Sequence, residues 1–264
     1  MDAEQFAVVV VATVFAGGVL GFILQRLLPE GFTTGPTKDM IGAVVGLLTL
    51  LSALVLGLLI WTAYGVYSGQ NAAIQTFAAK VLQLDLALTD YGPDAAAGRA
   101  QLRQDVARTV DEIWGEHQKT PKFVATNFAA AIDNMRRRQA YLDSLDTQTD
   151  TQRRALAAAT QTVDAIAQSR LQMSFALTSP VSYPLIFTVL GWAIGLFCGF
   201  GLMSRANPMS VSLLAFGAIA VASAAYLILD LSSPYSGIFR TSPAPLEQVL
   251  GYMGRGQGVV GGQR

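Results

Sequence analysis

Four long apolar stretches, Phe6–Leu28, Met40–Tyr67, Leu185–Ser204 and Pro208–Leu229, leave this chain few ways to fold. Each runs for about 20 residues or more with no ionisable group at its centre, the length needed to cross roughly 30 Å of hydrocarbon. Inside lipid, every backbone N–H and C=O must find its partner within the protein, which restricts the crossings to helices or a closed barrel. A barrel needs short segments of alternating hydrophobicity, and these runs are continuous. The expected fold class is therefore an all-α membrane protein with four transmembrane helices.

The connections sort those helices into two hairpins. Leu28-Pro29-Glu30-Gly31 through Gly35-Pro36 is a Pro/Gly turn joining the first two spans, and Asn207-Pro208 breaks the chain between the last two. Composition agrees with a membrane class: 52% of residues are hydrophobic and only 14% charged, where a soluble domain carries about 25% charged. Formal net charge is zero, so there is no basic footprint for nucleic acid. The acidic start Met1-Asp2-Ala3-Glu4 lacks the basic n-region of a secretory signal, and the first apolar run reads as a retained span. The one cysteine, Cys198, lies inside the third span and reads as a small hydrophobe.

Between the hairpins lies a polar, helical insert expected on the cytosolic side. Ile74, Phe77, Val81, Leu84 and Leu88 follow the second span at alternating three- and four-residue steps, the seam of an amphipathic helix. The second span thus continues out of the membrane as one helix, stopped at Tyr91-Gly92-Pro93. A second helix buries Leu102, Val106, Val110 and Ile113, and a turn is expected over Gly115–Pro121. Further helical seams are Phe128, Ile132, Met135 and Leu142, then Leu156, Val163, Ile166 and Leu171, ending at Ser179-Pro180. Basic and acidic residues balance between Lys80 and Arg170. Domain boundaries follow: residues 1–68 form the first transmembrane hairpin, 69–180 the insert, 181–232 the second hairpin, and 233–264 a C-terminal tail. Glycine enrichment predicts disorder in that tail from about residue 251. An even number of crossings puts both termini and the insert on one face. Lys80, Arg170, Arg240, Arg255 and Arg264 there outnumber Arg26, Lys38 and Arg205 opposite, which favours a cytoplasmic insert.

Two patterns inside the spans carry functional readings. Gly191, Gly195 and Gly199 recur every fourth residue in the third span; Gly42, Gly46 and Gly57 form a looser stripe in the second, and Gly17 and Gly21 pair in the first. Such faces let helix backbones approach closely, either within one bundle or between subunits. The second span also carries Thr49, Ser52, Leu56 and Ile60, continued by Ala63 and Tyr67. Hydroxyls followed by apolar side chains suit a pore with a dewetting constriction, and equally suit ordinary helix contacts. No ionisable residue sits in the middle of a span, against the pattern of pumps and proton-coupled transporters. Asp230 ends the fourth span and reads as a structural clamp with Arg240 or with nearby hydroxyls and N–H groups. Enzyme signatures are missing: the lone His117 has no second histidine for a metal, and no phosphate loop is present. No catalytic residue, metal site or cofactor is expected. Arg136-Arg137-Arg138 reads as a solvated charge run rather than a lipid-headgroup site.

Three segments resemble the bestrophin-like membrane proteins. They are Leu54-Val55-Leu56-Gly57-Leu58-Leu59-Ile60 leading to Gln70-Asn71, then Phe200-Gly201-Leu202 before Asn207, and Leu229-Asp230-Leu231-Ser232-Ser233-Pro234-Tyr235-Ser236-Gly237 followed by Arg240 and Ser242. Leu82–Tyr91 before Gly92-Pro93 adds to them. Tyr235 stands where the family pattern leads one to expect Phe. The resemblance implies a homo-oligomer, a pentamer by analogy with true bestrophins, passing small anions. The acidic calcium clasp of bestrophins is missing, since Ser232–Leu246 holds no Asp or Glu. The competing reading is a membrane-anchored interaction or sensor module without transport activity.

Overall fold

The computed structural model describes residues 3–29, 35–115, 122–178, 183–232, 235 and 237–260. Among them the chain forms eight α-helices, one 3-10 turn and no strand. The helices are α1 (Ala3–Leu27), α2 (Pro36–Tyr91), α3 (Ala96–Trp114), α4 (Lys122–Asp143), α5 (Asp150–Thr178), α6 (Tyr183–Met203), α7 (Pro208–Leu231) and α8 (Ala244–Val260). Most of the turn expected over Gly115–Pro121, including His117, lies outside the described residues, as do Ser179-Pro180 and Ser236. The chain divides into two compact units, one holding residues up to 66 and 180–233, the other 67–179 and 234 onward.

In the first unit, α1, α2, α6 and α7 are each long and apolar enough to cross a bilayer. The closest approaches of α1 are to α6 and α7, which come from the far half of the chain. Phe6, Val10 and Val14 of α1 are buried with Ile186, Val189 and Ala193 of α6 and Ala218, Ala222 and Ile228 of α7. The start of α7 shows how locally the boundary is written. Pro208 occupies the first turn, where its missing N–H costs nothing, and the Asn207 side chain accepts a 2.7 Å hydrogen bond from the Ser210 amide.

The second unit is a helical bundle with its own hydrophobic core, built on the extension of α2. Ile74, Phe77, Val81, Leu84 and Leu88 are all buried, as the three-four spacing requires, against Leu102, Val106, Leu142, Val163 and Ile166. The helix stops where Gly92 takes φ +115°, a conformation that side chains with a Cβ avoid, and Pro93 then opens the 3-10 turn Pro93–Ala95. Two carboxylates enter this core with guanidinium partners. Arg99 grips Asp85 through both oxygens, at 2.9 and 3.2 Å, and Arg138 donates to Asp105 at 3.0 Å. Arg138 therefore turns inward, so the Arg136-Arg137-Arg138 run is not one solvated face. Helix periodicity points successive residues in different directions, and a buried anion claims the third.

The C-terminal segment departs most from the sequence reading. Instead of a tail disordered from about residue 251, α8 runs on through Val260 and belongs to the second unit. Leu246, Val249 and Met253 join the hydrophobic core, and Gly254 lets α8 approach α3 so closely that an added Cβ would lie 3.0 Å from an Arg103 nitrogen. Tertiary burial here overrides the poor helix propensity of glycine.

The contrast between buried and exposed ion pairs gives a direct test. Arg99→Ala leaves the buried Asp85 carboxylate without its guanidinium and should lower stability by about 3–5 kcal/mol. Arg153→Ala opens an exposed pair with Asp150 and should change it by less than about 1 kcal/mol. Thermal unfolding of both variants beside the parent measures the difference, and equal melting temperatures would contradict the burial argument.

Candidate functional site

The second span is the site's main element, and the structure splits the four side chains assigned to a pore wall. Thr49 is exposed and ties its hydroxyl back to the Val45 carbonyl at 2.8 Å. Leu56 and Ile60 are half-buried. Ser52 is buried, and its Oγ has no hydrogen-bond partner. It shares the inward face with Val45, Leu59 and Ala63, so it points into its own bundle rather than toward an axis outside it. A three-residue step rotates a side chain by about 60° short of a full turn, enough to carry Ser52 across the edge of the stripe.

Leu56 and Leu59 also border a cavity of about 20 Å³ among the four spans, lined in addition by residues of the other three such as Phe6, Val10, Ile186, Val189, Val221 and Ile228. Every lining residue is apolar. Its lining offers no polar partner to hold a water molecule or an ion.

The glycines divide into two classes by what faces them. Helix α1 meets α6 almost backbone to backbone: a Cβ on Gly21 would overlap the Cys198 carbonyl oxygen and sit 2.9 Å from the Gly201 Cα, and one on Gly17 would sit 2.8 Å from the Ile194 oxygen. Gly199 receives Val45 of α2, and Gly42 lies against the end of Met203. By contrast Gly46, Gly57, Gly191 and Gly195 face open space within 4 Å. Four-residue spacing selects the helix face but not the partner. Gly18 and Gly201 were missed because they fall between the stripes, one residue from Gly17 and two from Gly199.

At the end of α7, Asp230 is buried and hydrogen-bonded with the Tyr226 side chain, with Glu4 of α1 nearby. Tyr226 precedes Asp230 by four residues on one helix face, a spacing that could have identified it. Asp230 and Arg240 fall in different compact units, and Arg240 is exposed. Within its own unit the C-terminal segment is also held by side chains that the clamp reading did not include. Tyr235 donates to Gln70 Oε1 at 2.7 Å, and Trp114 Nε1 donates to the Thr241 carbonyl at 2.6 Å. The two rings meet edge to face at 6.3 Å. Burial pushes the Tyr235 phenol well above its ordinary range, so it stays a donor. Ser242 accepts from the Ala244 amide at 3.2 Å where α8 begins.

The same unit holds a half-buried cation. Arg170 donates to Thr109 Oγ1 at 2.6 Å and lies 5.2 Å from the centre of the Phe77 ring. Burial, with the neighbouring Arg138 guanidinium, brings its pKa down to about 10, still far enough above neutrality to keep it charged. Among the described residues no group of three or more His, Cys, Asp or Glu side chains is placed to hold a metal ion.

The two glycine classes make different predictions for one substitution. Gly21→Ala should lower the melting temperature in detergent, at a cost of about 1–3 kcal/mol, because the clash is with backbone that cannot rotate away. Gly46→Ala should cost less in the dissociated monomer, since within its own chain a Cβ there meets nothing within 4 Å and alanine improves helix propensity. Equal melting of the two would remove the close α1–α6 approach from the account.

Comparison with known proteins places this arrangement. A family profile described as the Bestrophin-like domain matches residues 12–246. Among curated proteins a sequence search finds no significant match. The structure is similar to a crystal structure of a mutant bacterial bestrophin homologue from Klebsiella pneumoniae, with a TM-score of 0.58 at 16% identity over 94% of this chain and 96% of that one. At that identity the likeness speaks to the fold alone. The chain belongs to the bestrophin-like family, and its four long apolar helices make it an integral membrane protein.

Proposed function

We propose that this bestrophin-like chain assembles with copies of itself, five by resemblance to true bestrophins, around an ion pore walled by α2. The observation that carries the reading is the state of α2 in one chain. Its membrane window is the least buried of the four, 17% against 22% for α7, 33% for α1 and 39% for α6, and a Cβ on Gly46 or Gly57 would meet nothing within 4 Å. Lipid can cover apolar side chains, but a glycine face gains its packing advantage only against another helix. Gly191 and Gly195 of α6 are open in the same way and supply a second face for a neighbouring subunit. With Ser52 turned inward, the wall consists of Thr49, then Leu56 and Ile60 as the dry constriction. Small anions are the permeating class that the family resemblance implies. The absence of ionisable groups from the span centres favours a passive path over a coupled pump. The second unit and both termini lie in the cytoplasm, on the strength of the basic-residue bias.

Flux from proteoliposomes loaded with chloride tests the pore and Gly195→Leu tests its assembly. The variant should fold like the parent, because a Cβ at Gly195 meets nothing within 4 Å in its own chain, yet lose crosslinked oligomer and flux together. A Gly195→Leu protein that still crosslinks and conducts like the parent would place that face against lipid. A strictly monomeric parent would favour the anchored interaction module instead.

Orientation is tested separately. Single cysteines at Thr34 and Gln148 in a Cys198→Ser background should label oppositely with an impermeant thiol reagent on intact cells. Thr34 should react and Gln148 should not; the reverse pattern would invert the topology.

A further inference from the structure

We propose that a cavity inside the second unit binds one small monovalent anion of the halide kind, held by the Nε–H of Arg138. Two ion pairs in that unit, each with a buried carboxylate, can be compared atom for atom. Arg99 meets Asp85 side-on, with Nε and Nη2 each donating to one carboxylate oxygen. Arg138 meets Asp105 through Nη2 alone, at 3.0 Å, while the other oxygen of Asp105 faces the exposed Arg108, 3.5 Å away. The Arg138 side chain is 14% exposed, and its Nε is buried without a hydrogen-bond partner. A guanidinium donor left unmade in a protein interior is costly. The charge is unbalanced in the same sense. Arg108 and Arg138 pair with Asp105, and Arg170 feels Arg138, Asp105 and Glu112. Three positive groups thus stand against two negative ones.

Arg138 also lines a cavity of about 20 Å³ where α2, α3, α4 and α5 meet, room for one water-sized or halide-sized body. Its walls decide between the two. A buried water makes about three hydrogen bonds, and here Leu88, Leu102, Leu142 and Val163 supply only hydrocarbon. The Tyr141 hydroxyl on the wall already accepts from the Gly98 amide at 3.0 Å and donates to the Asp94 carbonyl at 3.3 Å. The polar groups that remain are the Arg138 Nε–H and the amide of the exposed Gln101. A halide only accepts, and its diffuse charge tolerates hydrocarbon on its other sides. Its bond to a guanidinium is charge-assisted, about twice as strong as a neutral one, and its charge offsets the local excess. The cavity of equal size among the spans has no such donor, so size alone does not make the site.

Thermal unfolding of the full-length protein in detergent tests the site without reference to ion flux, so the outcome is independent of the pore reading. Sodium bromide replaces sodium gluconate at constant ionic strength, which keeps screening fixed. The melting temperature of the parent should rise along a saturating curve, by about 4 °C at ten times the half-saturating concentration. Arg138→Lys keeps a positive charge beside Asp105 but has no Nε–H, and should lose the saturating rise. Val163→Ile leaves the guanidinium in place and fills the cavity with one more methylene. It should lose the rise as well, and it carries the test if Arg138→Lys does not fold. Sodium sulfate, which stabilises by exclusion from the protein surface, should act alike on parent and variants. In crystals grown with bromide, anomalous scattering should place the ion beside Arg138 Nε. A parent without a saturating rise, a rise that survives in either folded variant, or a water at that nitrogen in the bromide crystals would overturn the proposal.

Discussion

The structure depends on one uninterrupted helix whose side-chain pattern changes along its length. At about 1.5 Å per residue, the 56 residues of α2 make a rod of roughly 84 Å. Its first part is apolar almost all round, and its second part carries a narrow apolar seam. Continuity across the change is possible because an α-helix satisfies its own backbone, so neither lipid nor water is needed to complete it. Only the side-chain pattern has to change, and it does so after Tyr67 without a glycine-proline break until Gly92-Pro93.

The two units then rest on different forces. In the second, burial of Phe77, Val81, Leu84 and their partners removes apolar surface from water, the ordinary drive of folding. In the first that drive is missing, because lipid tails are as apolar as the side chains they replace. What remains is packing, and Gly17, Gly21 and Gly201 let α1 and α6 meet backbone to backbone. Polar groups follow the same division. Asp85 and Asp105 enter the second unit's core only with Arg99 and Arg138 attached, whereas the span centres hold hydroxyls alone.

Much of this was legible in the chain itself. Span length, the seam from Ile74 to Leu88 and the stop at Gly92-Pro93 follow from rules of period and backbone conformation that act locally. Partner choice does not. The spacing of Gly191, Gly195 and Gly199 is uniform, yet only Gly199 meets a side chain of its own subunit. Ser52 shares a stripe with Thr49 and turns to the other side, since a stripe drawn on a helix says nothing of where neighbouring helices stand. The glycines of α8 argued for disorder by propensity, and Leu246, Val249 and Met253 outweighed them by burial at a distance. Gln70 and Tyr235, far apart in sequence, could be noted as motif residues but not joined.

The central claim is that the open glycines and uncovered span of α2 are completed by further copies of the chain. Mass measurement of the parent protein in detergent or lipid nanodiscs tests it most directly, against a subunit of 28.0 kDa. The account predicts a single closed assembly, five subunits by family resemblance, persisting on dilution. A particle of one subunit mass under all conditions would contradict it.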